Sequence, residues 1–190
     1  MFKRAIGTAA LAIGGVILFK QLNKKQSLTD LASIAESIDV NVPLSTAYNQ
    51  WTQFEEFPRF MKSVRQIRQL DDKHLSWRAT VGGKEKEWTV EITEQTPDTR
   101  IAWHSTSGVR NAGVVTFHKI ADNKTRVMLQ MDYQPEGVAE KIGDQVGTVR
   151  METRANLKSF KELLEQRGTE TGAWRGTVSK TEAHQPTPAR

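Results

Sequence analysis

HLSWRATVGGKEKEWTVEIT, residues 74–93, decides how this chain is read. Leu75, Trp77, Ala79 and Val81 alternate with polar residues. Gly82-Gly83 then interrupts, and Trp88, Val90 and Ile92 alternate with Glu87 and Glu91. A period of two marks a strand with one buried face, and paired glycines between two such runs mark a hairpin turn. The segment therefore reads as two antiparallel strands whose tryptophans share the buried face.

The same period continues outward. Upstream, ESIDVNV (36–42) places Ile38, Val40 and Val42 on one face, and VRQIRQLDD (64–72) ends in an Asp-Asp turn. Downstream come RIAWHST (100–106), AGVVTFHKI (112–120) and TRVMLQMDY (125–133), separated by turn signals such as Pro97-Asp98 and Asp122-Asn123. Short alternating strands joined by turns imply an antiparallel sheet with one face covered. Between the first two strands, Pro43 ends the strand and Ser45 can cap a helix reaching Trp51. FEEFPRFMKSV (54–64) follows, and Pro58 forbids one long helix there. The expectation is two short helices, the second near 55–61.

From Gly137 to Arg167 the period lengthens. Val138, Ile142, Val146, Val149, Leu157, Phe160 and Leu164 recur at helical spacing, with Thr153 completing the stripe. Gly143 and Gly147 weaken the first half and suggest a hinge or a close approach. Gly168 is a good stop. Residues 168–190 are small, polar and proline-bearing, and read as a disordered tail.

At 190 residues the chain holds one domain plus appendages. It has no cysteine, which excludes disulfides, thiolate nucleophiles and cysteine-bound zinc. The net charge of +5 is local. Residues 1–25 carry Lys3, Arg4, Lys20, Lys24 and Lys25 and no acid, and the other 22 basic residues balance 22 acidic ones. A nucleic-acid binder keeps its basic excess on the folded domain, so nucleic acid is not the expected partner. Here the excess flanks AIGTAALAIGGVILF (5–19), as expected beside anionic headgroups. As a helix this run spans about 22 Å, and flanking lysines can snorkel to complete a crossing. A cleaved signal peptide needs small residues after the apolar run, which instead ends VILFK. Residues 1–25 thus read as a single-pass N-terminal membrane anchor of undetermined orientation. A cleaved signal and a buried helix are the alternatives. Residues 26–35 read as a polar tether running into a short helix, and 36–167 as the folded domain.

One strand, two short helices, six antiparallel strands and a long amphipathic helix make an α+β chain. Its pattern resembles the helix-grip fold of the START-like (SRPBCC) superfamily, a curved antiparallel sheet wrapped around a long C-terminal helix. WTQFEEFPRFMKSV (51–64), WRATVGGKEKEWTVEITEQTPDTRIAW (77–103) and STSGVRNAGVVTF (105–117) carry the resemblance. They are similar to the polyketide cyclase/dehydrase and lipid-transport family, which includes coenzyme Q-binding START domains, and best to a membrane-anchored bacterial subgroup. The resemblance covers residues 36–167, with GAWRG (172–176) as an extension. It implies an internal cavity between sheet and helix. Phe54, Phe57, Phe60 and Met61 would then cover its mouth, or equally plug the barrel end as ordinary core. Trp77, Trp88, Trp103, Phe117, Met131 and Tyr133 are the expected lining, with Thr153 and Asn156 as polar groups from the helix. Each also has a plain core reading.

No catalytic constellation is legible. His74, His104, His118 and His184 have no metal-ligand spacing, and Walker A, GxSxG and GxGxxG are missing. Glu85, Glu87 and Glu91 share the parity opposite Trp88 and so face solvent, leaving Glu94 apart. Arg110 and Asn111 occupy a turn that could orient a headgroup, with Asn111 and Gly113 suited to left-handed backbone. No cofactor and no metal are implied. The expected function is a membrane-tethered domain holding a lipid, quinone or polyketide-like ligand. A cyclase or dehydratase is one alternative, which a buried ionisable residue facing the cavity, such as His104 or His118, would favour. An envelope protein-interaction module is the other.

Overall fold

The computed structural model describes residues 31–135 and 142–179. Strand β1 (Ala32–Val40) is followed by helix α1 (Leu44–Trp51) and a 3₁₀ helix (Phe54–Arg59). Six strands follow: β2 (Val64–Gln69), β3 (His74–Val81), β4 (Lys84–Thr96), β5 (Arg100–Ser107), β6 (Asn111–Ala121) and β7 (Lys124–Tyr133). Helix α2 (Ile142–Arg167) closes the series. All seven strands form one curled antiparallel sheet in the order β1-β7-β6-β5-β4-β3-β2. Successive strands from β2 to β7 are neighbours, as hairpins demand, and β1 joins the far edge beside β7. This is the helix-grip architecture.

The hairpin of residues 74–93 forms in the register its pattern requires. Val81 faces Lys84 across the turn, and Gly82 and Gly83 both take positive φ, 58° and 78°. Only residues without a Cβ adopt that backbone at no steric cost. Leu75, Ala79, Val90 and Ile92 are buried on the concave face.

Helix α2 lies in the curl of the sheet, gripped from β1. Glu36 binds Arg154 at 2.7 Å and Arg150 at 3.5 Å, the Asn41 amide donates to Glu165 at 2.7 Å, and Lys161 donates to the Asp39 carbonyl. Leu157, Phe160 and Leu164 are fully or almost fully buried beneath it. Gly168 (φ 73°) ends the helix, its amide bonding to the Leu164 carbonyl at 2.8 Å.

Four local expectations need correction. The strand starts at Ala32, so residues 32–35 are neither tether nor short helix. Alternating Ala32, Ile34 and Glu36 extend the inward face upstream of where hydrophobicity alone marked it. Helix α1 is not capped by Ser45. It starts at Leu44 behind Pro43, whose carbonyl accepts the first helical bond from Ala47. Residues 168–179 are ordered against the domain, not a free tail. Thr171 and Trp174 amides donate to Gln50 Oε1 and Thr52 Oγ1, Arg175 binds Asp98 at 2.6 Å, and Val178 pairs with Gln95. Those partners explain why polar Gln50, Thr52 and Gln95 tolerate burial: each is hydrogen-bonded. At Gly147, an added Cβ would meet nothing within 4 Å, so no close approach explains that glycine.

The expected anchor, residues 1–25, lies outside the described residues, as do Val138, His184 and the tail beyond residue 179. Among the described residues no helix is long and apolar enough to cross a membrane.

Candidate functional site

The curl of the sheet and the first half of α2 enclose a cavity of about 550 Å³. That lies within the usual range for small-molecule sites. Its inner wall is built from inward-facing strand residues. Trp77 and Trp88 stand directly opposite one another on β3 and β4, and Ile92, Trp103 and Met131 follow across β4, β5 and β7. Thr153, Asn156 and Leu157 face it from α2.

Seven of the eight expected lining residues are brought together here: Trp77, Trp88, Trp103, Met131, Tyr133, Thr153 and Asn156. The structure separates Phe117 from them. Its ring sits under α1, edge-on to Tyr48 (5.5 Å) and Trp51 (6.2 Å), where it is 4% exposed. Strand parity put Phe117 on the correct face but could not say that α1 would cover that end of the sheet.

The expected mouth also moves. Phe54, Phe57 and Met61 are buried and form part of the cavity wall. Phe60 lies behind them, 5.1 Å from the Phe57 ring and 5.3 Å from that of Phe160. The exposed wall residues are Gly82, Gln134, Thr148 and Glu152. Together with Val109 they place the opening at the β3–β4 and β5–β6 turns, facing the start of α2.

The lining is mainly apolar, with exposed polar residues at the rim and a few buried polar groups, Asn111, Thr153 and the Tyr133 hydroxyl, deeper in the wall. Among the described residues, Glu152 is the one lining carboxylate and is exposed, and no lysine, arginine or histidine lines the wall. Burial raises the Tyr133 hydroxyl above its ordinary range, against the partial offset of nearby Arg150, so the phenol is neutral. Among the described residues the Tyr133 hydroxyl and the Trp77 indole N–H have no hydrogen-bond partner. The Thr153 hydroxyl donates to the Val149 carbonyl at 2.8 Å, which leaves its oxygen able to accept.

His104 and His118 are both on the outer face of the sheet, by the parity that turns Trp103 and Phe117 inward. His104 Nε2 is 3.7 Å from Glu91, and His118 Nε2 is 2.9 Å from the Thr116 hydroxyl. His74 binds Asp71 at a turn. Neither strand histidine can therefore act as an acid or base on a molecule in the cavity. Glu85 and Glu87 flank Arg78 on the outer surface, and Glu94 pairs with Arg100. Asn111 begins β6, buried, with its side chain on the Val109 carbonyl. Neither it nor Gly113 has the left-handed backbone expected of them, which falls instead at Asp98 and Gly108. Among the described residues no group of three or more His, Asp or Glu is placed to hold a metal.

Residues 40–162 match the family model for polyketide cyclase/dehydrase and lipid transport. The chain belongs to that family. A 17.2 kDa protein of Streptomyces lincolnensis, described as uncharacterized, is 52% identical over 149 residues, 78% of this chain and 99% of its own. Among solved structures, an aromatase/cyclase from Streptomyces sp. R1128 superposes with TM-score 0.61 at 13% identity, covering 76% of this chain and 99% of that one. A START superfamily protein from Mycobacterium smegmatis gives 0.56 at 12%, covering 71% and 95%. At such identities the likeness establishes the fold of the family member and not its ligand.

Proposed function

We propose that this family member is a binding module that holds one hydrophobic small molecule, a lipid, quinone or polyketide-like compound, between sheet and α2. The observation that carries the reading is the cavity itself. It is largely apolar and aromatic, it opens at one end, and exposed polar residues rim that opening. A ligand gains from burying its apolar body there, and a polar end can stay at the rim. The cyclase alternative loses the two histidines and, among the described residues, keeps only the neutral Tyr133 hydroxyl as a buried ionisable group on the wall. Organic extraction of the purified full chain, followed by mass spectrometry, tests the proposal. A recurrent apolar compound near one equivalent per chain is expected. Repeated recovery of none, from several preparations, would count against it.

The reading includes a tether: residues 5–19 insert in a membrane with basic flanks on either side. It rests on the fifteen-residue apolar run and the confinement of the basic excess to residues 1–25. Cell fractionation of the full chain and of a chain lacking residues 1–25 tests it. The tether predicts membrane recovery of the first only. Equal partitioning would remove it and leave the cavity reading untouched.

A further inference from the structure

On the inner face, Ile92, Trp103, Gly113 and Met131 stand in one row across β4, β5, β6 and β7. Gly113 is the gap in that row. Its backbone is not in the left-handed region, so conformation does not require glycine there. Space does: a Cβ at Gly113 would lie 2.4 Å from Trp103 Cζ2 and 2.9 Å from Cε2, and 2.8 Å from the Gln130 carbonyl. The Trp103 indole is therefore laid over the bare β6 backbone. A strand side chain ordinarily stands away from its sheet. Here the missing neighbour lets the ring lie against the glycine while it still lines the cavity.

The rest of the wall matches that surface. Seven of the chain's fourteen aromatic residues line this one cavity, including the stacked Trp77–Trp88 pair. Flat rings gain extra attraction from aromatic faces, which a saturated chain does not. Among the described residues the buried wall carries no charge. A volume of about 550 Å³ accommodates a compact fused-ring molecule.

We propose that Gly113 and Trp103 are the specificity determinants of this cavity, selecting a flat, uncharged fused-ring ligand that lies face-on against the Trp103 indole. Its polar substituent points towards Thr153 and Asn156 on α2. The inference rests on the cavity reading above.

Thermal-shift titrations of the full chain with anthracenemethanol and with hexadecanol test it, because the two share a headgroup and differ in shape. The wild type should bind anthracenemethanol at least tenfold more tightly. Trp103→Leu should lose at least tenfold for anthracenemethanol and less than twofold for hexadecanol. Gly113→Ala, which tips the indole into the cavity, should act in the same direction. If Gly113→Ala does not fold, Trp103→Leu and Trp103→Phe carry the test, with Phe retaining part of the preference. Equal or tighter hexadecanol binding, or equal losses for both in Trp103→Leu, overturns this inference alone. Binding of neither compound to wild type overturns the cavity reading and this inference with it.

Discussion

Trp77 on β3 stands directly opposite Trp88 on β4, and their indoles stack with centroids 5.8 Å apart and planes 20° apart. Both are half-buried on the cavity wall, so the pair serves the hairpin and the cavity together. Offset aromatic pairs contribute roughly 0.5–1.5 kcal/mol beyond the area they bury. A double-mutant cycle with Trp77→Ala and Trp88→Ala, read by chemical denaturation, should give a coupling energy in that range. Additive losses would show that the two rings act independently.

Glu56, beside the wall-forming Phe57, joins that segment to the end of α2. Burial raises its carboxyl, but hydrogen bonds from Arg167, Thr171 and Gln50 outweigh this and hold it below its ordinary value of 4.5. A carboxyl whose folded pKa is depressed stabilises the fold above its unfolded pKa and loses that contribution as pH falls through the folded one. Wild type should therefore lose stability below about pH 4.5 more steeply than Glu56→Gln, when melting temperatures are followed down to pH 3. Superimposable acid limbs would remove Glu56 from the account.

Arg175 of the tail makes a two-pronged pair with Asp98 (2.6 and 3.0 Å), donates to Asn49, and lies 5.8 Å above the Tyr48 ring. The pair is partly exposed, so its worth is modest, and Arg175→Ala should cost about 1 kcal/mol. Truncation after Gly168 should cost more, because it also strips the partners of buried Gln50 and Thr52 and unpairs Val178 from Gln95. Urea unfolding of both variants checks the order, which an equally stable truncated chain would contradict.

Phe160 is fully buried on α2, with Trp51 at 4.9 Å and Phe60 at 5.3 Å. It locks the helix to the segment around Pro58. Phe160→Ala should destabilise the protein by about 3–5 kcal/mol, measured by denaturant midpoint at constant m-value. A loss below 1 kcal/mol would mean that the helix is held mainly by its polar contacts with β1.

Strand alternation made the hairpin of residues 74–93 and the inward face of each tryptophan legible in advance, because a buried sheet face fixes parity. The long helix was legible from its stripe. Three things were not. The ordered tail is held by hydrogen bonds from Thr171, Trp174 and Arg175 to residues far away in sequence, which leave no local periodicity. Phe117 and Trp103 share parity on the concave face, and only the placement of α1 decides which is covered by protein and which borders open space. Phe54, Phe57 and Met61 were read correctly as clustered, but the location of the opening depends on which turns meet the start of α2.

On this reading a single apolar molecule occupies the space between the sheet and α2. Native mass spectrometry of the wild type beside Asn156→Trp, which fills that space from the helix, tests it most directly. The expected result is a one-to-one apolar adduct on the wild type and its loss from the variant. An adduct that survives in Asn156→Trp would place the ligand elsewhere and contradict the account.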